Sequence, residues 1–498
     1  MISSKPRWDT GRTTAEGGVP GWRRGLISNQ LATTAARLPN KVGVVAGDRR
    51  ITWAELDDMA TRAANGILAA GARPGDVVGL RAHNAPETLA AFYGLARAGV
   101  IVLPLSPRLV GEELSWQLQD IGAVRLIDDD GLGDLRTSEL IAAGSAAPCP
   151  VDVDRDDLVW ARFTSGTTGR PKAIATTHDS AAYMWEAVAL ELGLRADEVT
   201  LINAPIAHAA IATASATVIV GGSIVIEPGF DPQTVWETCD RHGVTLVLMV
   251  PTMFALSLES PGHGESLRTI ISMASILTPA MKARVKARFP QARLLDIYAG
   301  TELGTCTLLD YDADPDKAAS VGRPAFGYRV RITDDDGREL PRGEVGTIYV
   351  QGRMLCASFV GSQPPKEGTF RDGYLTAGDL GYLDDDGFLF LVDRRTDLII
   401  SGGFNVYPSE VENAIGTHPG VVNVAVVGIA DDTWGQVVTA VVQGTAPQDE
   451  LVALCRQKLA GYKVPRRWAY VDTMPMNASG KVLKRELRET LATPPAAS

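Results

Sequence analysis

The first part of the chain alternates short apolar runs with amphipathic helical segments. Thr52-Trp53-Ala54-Glu55 forms a capping box, and the apolar positions after it recur at helical spacing. We predict strands at 77–80, 100–105, 244–250 and 293–298, and helices at 86–98, 112–121 and 280–287. This rhythm is typical of an α/β fold, in which helices cover both faces of a parallel sheet.

Beyond residue 325 the pattern becomes richer in strands. It predicts strands at 329–333 and 346–351, and a hairpin at 380–392 that turns at 384–387. The end of the chain predicts a small α+β unit with helices at 408–415 and 449–459 and strands at 422–429 and 437–443. We therefore place a domain boundary close to Arg395, which gives an N-terminal domain at 1–394 and a C-terminal domain at 395–498.

Composition narrows the class of protein. The 498 residues exceed what one hydrophobic core usually fills, so at least two domains are expected. The net charge of −11 argues against a general nucleic-acid binder or a binder of anionic membranes. The five cysteines lie far apart without a CxxC pair, so neither a disulfide framework nor a zinc site is indicated. The first seven residues lack the apolar core of a signal peptide, and no apolar run reaches about 18 residues, so we expect a cytoplasmic protein without a membrane span.

A segment rich in glycine and hydroxyl groups carries the strongest chemical signal. Residues 163–172 read Phe-Thr-Ser-Gly-Thr-Thr-Gly-Arg-Pro-Lys and follow an apolar run at 158–163. Glycines let backbone N–H groups approach phosphate oxygens, hydroxyls add donors and Lys172 adds positive charge, so the segment predicts an ATP-phosphate loop. It is not a Walker A loop, because Pro171 stands before Lys172. A flexible surface loop is the alternative explanation for such a tract on its own.

Further short segments carry side chains suited to a nucleotide. Glu302 follows a predicted buried strand, at the kind of strand end where α/β sheets usually bind ligands. Asp379 stands in a turn of small residues, as recognition of ribose hydroxyls would require. A glycine turn lies at 401–405, and Lys481 lies in a polar loop at 477–481. Each segment alone is also compatible with an ordinary turn or surface residue.

The order of these segments is more specific than any one of them. Together they resemble the adenylate-forming superfamily of acyl-CoA synthetases, luciferases and peptide-synthetase adenylation domains, and the acyl- and aryl-CoA ligases most of all. The motifs are TSGTTGRPK, YAGTE, TAGDLGYLDDDGFLFLVDR, SGGFNVYPSEVE and NASGKVLKREL. The resemblance covers Thr52 to Leu487 and implies a large N-terminal domain of layered sheets and helices with a small mobile C-terminal domain.

The resemblance also implies two chemical steps. A carboxylate attacks the α-phosphate of ATP to give an acyl-adenylate and pyrophosphate, and a nucleophile then displaces AMP. Lys481 is implied as the adenylation lysine, because a cation that reaches both anions stabilises the transition state more than the ground state. After the first step the small domain rotates, so that a thiol enters past Gly402 and Gly403.

Other roles are carried over by the same resemblance. Phosphate binding is implied for Thr164, Ser165, Gly166, Thr167, Thr168 and Lys172. Adenine is flanked by Ala274, Ser275 and Tyr298, and the ribose is bound by Asp379 and Arg394. Thr301 contacts the α-phosphate and Glu302 binds Mg²⁺. ATP and Mg²⁺ are thus the implied cofactors, with coenzyme A as the expected second substrate.

The acyl acceptor has more than one candidate. Coenzyme A needs cations for its phosphates and often an aromatic face for its adenine, and Trp434, Lys463, Arg466 and Arg467 look similar to that set in CoA ligases. A solvated strand edge beside a core tryptophan would explain the same residues. The chain also departs from the family pattern at Ala173, Ala299, Thr396 and Met476. A free amine, in an amide synthetase, and a carrier protein therefore remain alternative acceptors.

The acid substrate is predicted from the segment at 203–211. Ala207 and Ala209 beside His208, together with Gly300, indicate a roomy apolar slot, and we expect an aromatic or medium-length acyl acid. The segment has no acidic residue to pair with an α-amino group, which argues against an amino-acid adenylation domain. His208 either touches the substrate or is a packed polar residue at a strand end.

Overall fold

The computed structural model describes residues 26–164, 171–394, 397–401, 404–431, 433–476 and 482–492. The helices are α1 (Ile27–Arg37), α2 (Trp53–Ala69), α3 (Pro86–Arg97), α4 (Gly111–Ile121), α5 (Thr137–Ala143), α6 (His178–Leu192), α7 (Ile211–Val220), α8 (Val235–His242), α9 (Pro251–Ser257), α10 (Pro279–Arg288), α11 (Pro408–Ile415), α12 (Gln448–Lys458) and α13 (Lys484–Ala492). A π-helical turn spans Ile206–Ala210, and 3₁₀ turns span Pro315–Lys317 and Gly461–Lys463.

The strands alternate with these helices up to α10 and then follow one another more closely. They are β1 (Val42–Ala46), β2 (Arg49–Thr52), β3 (Val77–Arg81), β4 (Ile101–Leu105), β5 (Arg125–Asp128), β6 (Leu158–Thr164), β7 (Lys172–Thr177), β8 (Val199–Ile202), β9 (Ser223–Ile226), β10 (Leu246–Met249), β11 (Thr269–Ser272), β12 (Arg293–Gly300), β13 (Gly304–Asp310), β14 (Arg323–Pro324), β15 (Tyr328–Thr333), β16 (Gly346–Gly352), β17 (Ser358–Val360), β18 (Phe370–Arg371), β19 (Tyr374–Leu375), β20 (Asp379–Leu383), β21 (Leu389–Arg394), β22 (Ile399–Ser401), β23 (Phe404–Val406), β24 (Val421–Asp431), β25 (Gly435–Gly444) and β26 (Arg467–Tyr470).

The start of α2 confirms the predicted capping box. The Thr52 hydroxyl accepts a hydrogen bond from the Glu55 N–H at 3.2 Å, and the Thr52 N–H donates to the Glu55 carboxylate at 2.8 Å. Two N–H groups at the helix start are thereby satisfied, which fixes where the chain enters the helix.

Two sheets form most of the N-terminal part. The first has the strand order β14-β13-β12-β11-β10-β8-β9-β1-β2, and the second has the order β17-β7-β6-β4-β3-β5. Strands β3, β4, β5 and β6 pair in parallel, and the βαβ rhythm predicts this pairing for β3 and β4. The second sheet is mixed rather than wholly parallel, because β7 pairs antiparallel to β6. The segment between these two strands is too short for a parallel crossover, which needs about a dozen residues.

Helices pack on both faces of these two sheets. Ile224 of the first sheet, Val159 of the second and Leu56 of α2 belong to one buried core. On its other face the first sheet packs Leu294 in a cluster with Val285 of α10. A third cluster joins the opposite face of the second sheet to α4. The layered arrangement of sheets and helices is thus confirmed.

The remaining strands form two smaller sheets. The first contains β15, β16 and β18–β21, and the predicted hairpin is its antiparallel pair β20–β21. The other contains β22–β26, with buried side chains on both of its faces. Strand β21 ends at Arg394 and β22 begins at Ile399, so the chain passes between these sheets next to Arg395. The domain boundary at that residue stays a prediction. No helix of the described residues is long and apolar enough to cross a membrane.

Candidate active site

A cavity of 1810 Å³ brings together residues that are distant in sequence. It is lined by Thr164 and Lys172 next to the predicted phosphate loop, by the strand end and turn at 298–302, by Ala274 and Ser275, and by Asp379. Met476 and Val482, on either side of the predicted lysine loop, line the same cavity. The motifs therefore converge on one space, although more than 300 residues separate the first from the last.

Strands β6 and β7 bracket the predicted phosphate loop. They are antiparallel, and Thr164 lies opposite Lys172 in their register. The loop residues Ser165, Gly166, Thr167 and Thr168 lie outside the described residues. Partial burial lowers the pKa of Lys172, the nearby Lys366 charge lowers it further, and the Glu302 carboxylate opposes both effects.

The turn after β12 carries Thr301 and Glu302. Both of its backbone carbonyls are held: Arg162 Nη2 donates to the Thr301 carbonyl at 3.1 Å, and the Cys356 N–H donates to the Glu302 carbonyl at 2.9 Å. Gly304 begins β13 with a φ of 70°, a left-handed conformation that favours glycine. The turn is therefore fixed at a strand end facing the cavity, as the sequence predicts for Glu302.

The proposed nucleoside pocket contains a short hydrogen bond. The Tyr298 hydroxyl donates to the Asp379 carboxylate at 2.6 Å, and Asp379 is buried at the start of β20. In the β20–β21 hairpin Asp379 lies opposite Arg394, whose side chain is outside the described residues. The tyrosine ring that flanks adenine by resemblance is thus bonded to the carboxylate predicted for the ribose.

Ala274 has an unusual backbone conformation at the cavity wall. Its φ is 73°, whereas a residue with a side chain rarely adopts a positive φ. Conformations of this kind concentrate at ligand sites, where the surrounding structure holds them. The sequence predicts Ala274 at the adenine face, but nothing in the pattern around it predicts this conformation.

The proposed acyl pocket lies beside the π-helical turn at Ile206–Ala210. Ala209 and Gly300 line the cavity, together with Met184, Ile271 and Met273. Turns of this type are rare and often occur at functional sites. Ala207 and His208 lie in this turn, but their side chains are outside the described residues. The roomy apolar slot predicted from the alanines stays a prediction.

Lys481 lies outside the described residues, as do Gly402 and Gly403. Its flanking residues Met476 and Val482 form an antiparallel bridge, and both line the cavity. The bridge places the two ends of the 477–481 segment at the cavity.

The residues predicted for coenzyme A lie elsewhere. Trp434, Lys463 and Arg466 are not among the described residues that line the cavity. The Arg466 guanidinium carbon lies 3.9 Å from the Trp434 ring centroid, and Trp434 is 37% exposed rather than a core residue. Lys463 is paired with Glu410 at 2.6 Å, and Arg467 with Asp431 at 3.4 Å. The tryptophan and its arginine thus form an exposed cation–π pair away from the cavity.

Arg162 is a cavity residue that the sequence motifs do not select. It lies in β6 two residues before Thr164, and its guanidinium carbon is 4.0 Å from the Trp160 ring centroid. The signal was a charged residue inside an otherwise apolar strand run. That signal is weak, because local sequence does not show which part of the fold such a side chain faces.

Comparisons with known proteins agree with this geometry. The family model of the AMP-binding enzyme matches residues 31–359, and that of the AMP-binding enzyme C-terminal domain matches residues 410–481. A feruloyl-CoA synthase from an Amycolatopsis species is 35% identical over 472 residues, which cover 90% of this chain and 96% of the relative.

Solved structures are similar over nearly the whole chain. The o-succinylbenzoate CoA synthetase from Bacillus subtilis in complex with the acyl-adenylate intermediate OSB-AMP superposes with a TM-score of 0.85 at 30% identity, covering 94% of this chain and 99% of that chain. The same enzyme in complex with ATP and magnesium ion also has a TM-score of 0.85 and 30% identity, covering 92% and 99%. The predicted superfamily and fold class are confirmed, and this chain belongs to the AMP-binding enzyme family.

Proposed function

We propose that this protein is an ATP-dependent acid–thiol ligase. It activates a carboxylic acid as an acyl-adenylate and then transfers the acyl group to coenzyme A. The observation that carries the proposal is the convergence of Thr164, Lys172, Glu302 and Asp379 on one cavity, which the ends of the Lys481 segment also reach. The relatives that act on aromatic acids and coenzyme A support the same reaction.

The first step joins two anions, so the site must supply positive charge. An oxygen of the acid attacks the α-phosphorus, the bond from that phosphorus to the bridging oxygen breaks, and pyrophosphate leaves with the electron pair. Lys172, with the loop residues Thr164 to Thr168, binds the β- and γ-phosphates. Thr301 contacts the α-phosphate, and Lys481 reaches both reacting groups as the catalytic lysine. These contacts act where negative charge grows, which is where preorganised donors accelerate a reaction most.

Glu302 fits a magnesium site. Mg²⁺ is commonly held by one or two carboxylates together with substrate phosphates and water, and Glu302 faces the cavity from a turn fixed at both carbonyls. When bound there, Mg²⁺ neutralises charge on the phosphates of ATP. Asp379 and Arg394 bind the ribose in this proposal, and Tyr298, Ala274 and Ser275 flank adenine.

The acid is proposed to be aromatic or a medium-length acyl acid. The pocket walls carry Met184, Ala209, Ile271 and Met273, which favour an apolar body over a charged one. We propose that His208, Ala207 and Gly300 also line this acyl pocket. The aromatic substrates named for the relatives are consistent with this choice.

The exposed pair of Trp434 and Arg466 favours coenzyme A as the acceptor. An aromatic face and a cation together suit the adenine and phosphates of that molecule. Because these residues do not line the cavity among the described residues, the second step requires the C-terminal unit to turn. We place the pivot near Arg395, so that Gly402 and Gly403 replace Lys481 beside the acyl group. ATP and coenzyme A are intracellular metabolites, so the proposed location is the cytoplasm.

A product assay tests this function. The purified protein is incubated with ATP, Mg²⁺ and a panel of aromatic and medium-chain acids, with coenzyme A or simple amines offered in parallel. We expect AMP, pyrophosphate and a thioester. Amide in place of thioester would make the protein an amide synthetase, and absence of AMP with every acid would contradict adenylation itself.

A further inference from the structure

Arg162 is a cation in the wall of the cavity proposed as the reaction site. It lines the cavity, and its Nη2 donates to the Thr301 carbonyl at 3.1 Å. Strand β6, which carries it, leads directly into the predicted phosphate loop. Arg162 therefore links β6 to the turn that carries Thr301, 139 residues further along the chain.

The side chain is half-buried and is held by two contacts. Its guanidinium stacks on Trp160 at 4.0 Å, and its Nε is buried without a hydrogen-bond partner among the described residues. An arginine that is half-buried loses part of its hydration, and among the described residues Arg162 gains only the neutral Thr301 carbonyl as a hydrogen-bond acceptor. Such a cation is best explained by an anion that arrives with the ligand.

Its charge persists at neutral pH. Burial lowers the pKa of Arg162 to about 10, while the Glu302 carboxylate opposes this change. Glu302 cannot serve as a full partner for Arg162 if it also binds Mg²⁺. The guanidinium then remains available to a phosphate oxygen, for which its planar fork of donors is well suited.

We propose that Arg162 contacts the α-phosphate of the nucleotide, next to Thr301, and is a further catalytic residue. This inference rests on the proposed function. The guanidinium moves no proton: it stabilises negative charge on the α-phosphate oxygens as the acid attacks phosphorus and pyrophosphate leaves. It remains in place when AMP departs in the second step, so it serves both half-reactions, whereas Lys481 serves only the first.

The α-phosphate is favoured over the other anions in the cavity. Lys172 lies across the strand pair from Thr164, next in sequence to the segment to which the proposed function assigns the β- and γ-phosphates. Arg162 is bonded instead to the turn that carries Thr301. A contact to the α-phosphate should persist in AMP, which lacks the other two phosphates.

Binding of AMP and adenosine separates the possibilities. Calorimetry on the full chain compares the wild type with Arg162→Met, Arg162→Lys and the control Arg195→Met, whose side chain is 62% exposed, pairs with Asp197 and does not line the cavity among the described residues. We expect Arg162→Met to weaken AMP binding by about 10- to 100-fold and adenosine binding by less than about twofold. Arg162→Lys should fall between, and the control should match the wild type.

Two results would overturn the assignment. An equal loss of AMP and adenosine affinity would show that Arg162 only maintains the pocket, and unchanged AMP affinity would exclude the phosphate contact. If Arg162→Met fails to fold, Arg162→Lys carries the same comparison, because shortening the fork should still penalise AMP alone. The proposed function is tested separately, with the wild type, by whether it binds AMP and whether it forms AMP from ATP and an acid. A failure of the proposed function can therefore be told apart from a failure of the Arg162 assignment.

Discussion

Single residues at this site act through specific polar contacts. Tyr298 and Asp379 are paired at 2.6 Å, so an aromatic face and a carboxylate are oriented together before a nucleotide arrives. The turn at Thr301 and Glu302 is fixed in the same way through its carbonyls. Preorganised groups of this kind reduce the ordering that ligand binding would otherwise require.

Removing the Tyr298 hydroxyl should weaken nucleotide binding. In Tyr298→Phe the Asp379 carboxylate loses a donor that holds its orientation, and bonds to charged groups contribute about 1.5–3 kcal/mol. We expect the affinity for AMP to fall by roughly tenfold, with a similar rise in KM for ATP. Titration of the variant with AMP measures this affinity. Tyr470→Phe, whose hydroxyl bonds to the Ala446 carbonyl in the C-terminal unit, serves as the control. Unchanged AMP affinity in Tyr298→Phe would show that the hydroxyl does not orient Asp379.

Buried His178 should make the fold sensitive to acid. It is fully buried, its ring nitrogens lack partners among the described residues, and burial lowers its pKa to about 3. In the unfolded chain the pKa of this histidine is about 6.5, so below that pH the unfolded chain binds a proton that the folded chain does not bind. Stability from this histidine is therefore complete above pH 6.5 and falls as pH drops towards 3, by about 1.4 kcal/mol per unit.

The substitution His178→Leu should reduce that slope. Urea unfolding followed by tryptophan fluorescence between pH 5 and 7.5 compares the midpoints, with His242→Leu at the end of α8 as the control. An unchanged pH slope in His178→Leu would show that another group causes the acid sensitivity.

Helices and strands show which parts of the site are set locally. The start of α2 depends on a four-residue signal, whereas the two ends of the predicted phosphate loop, Thr164 and Lys172, are brought together by the antiparallel pairing of β6 and β7. The first can be tested without touching the cavity, because Thr52 does not line it among the described residues.

Loss of the Thr52 hydroxyl should destabilise α2. Replacing an N-cap threonine by alanine costs about 1 kcal/mol, since an N–H at the helix start loses its acceptor. We expect Thr52→Ala to lower the free energy of unfolding by that amount and to leave kcat unchanged. Denaturant unfolding and a steady-state assay measure the two quantities. Thr52→Ser keeps the hydroxyl and should behave like the wild type, so an equal loss in both variants would point to packing instead.

Local sequence predicts most elements but not how they meet. The capping box and the hairpin β20–β21 follow from spacing within a few residues, and the parallel pair β3–β4 follows from the alternation of apolar runs with helical segments. The mixed second sheet, the positive φ of Ala274 and the bond from Arg162 to Thr301 depend on tertiary packing. For this reason the motifs predict which segments form the site, whereas the contacts between their charged and polar groups are seen only in the folded structure.

At the scale of the whole molecule, two sets of proposed site residues lie apart. Met476 and Val482 bring the ends of the Lys481 segment to the cavity, while Trp434 and Arg466 are exposed outside it. The Ser409 hydroxyl donates to the Val392 carbonyl, so the unit that carries Lys481 also touches the last strand before the predicted boundary. This arrangement suits the first half-reaction of the proposed function, and we propose that the second follows a rotation of that unit.

Separate assays of the two half-reactions should therefore show that Lys481 acts in the first and Trp434 in the second. Lys481→Ala should slow adenylate formation by about 10²- to 10³-fold, because the transition state loses a preorganised cation, yet leave thioester formation from supplied acyl-adenylate nearly unchanged. Trp434→Ala should do the reverse: it should raise the KM for coenzyme A and leave adenylate formation intact. Pyrophosphate release and thioester formation report the two steps. If both variants slowed both steps equally, a single fixed arrangement would serve the whole reaction, and rotation near Arg395 would be excluded as the basis of the second step.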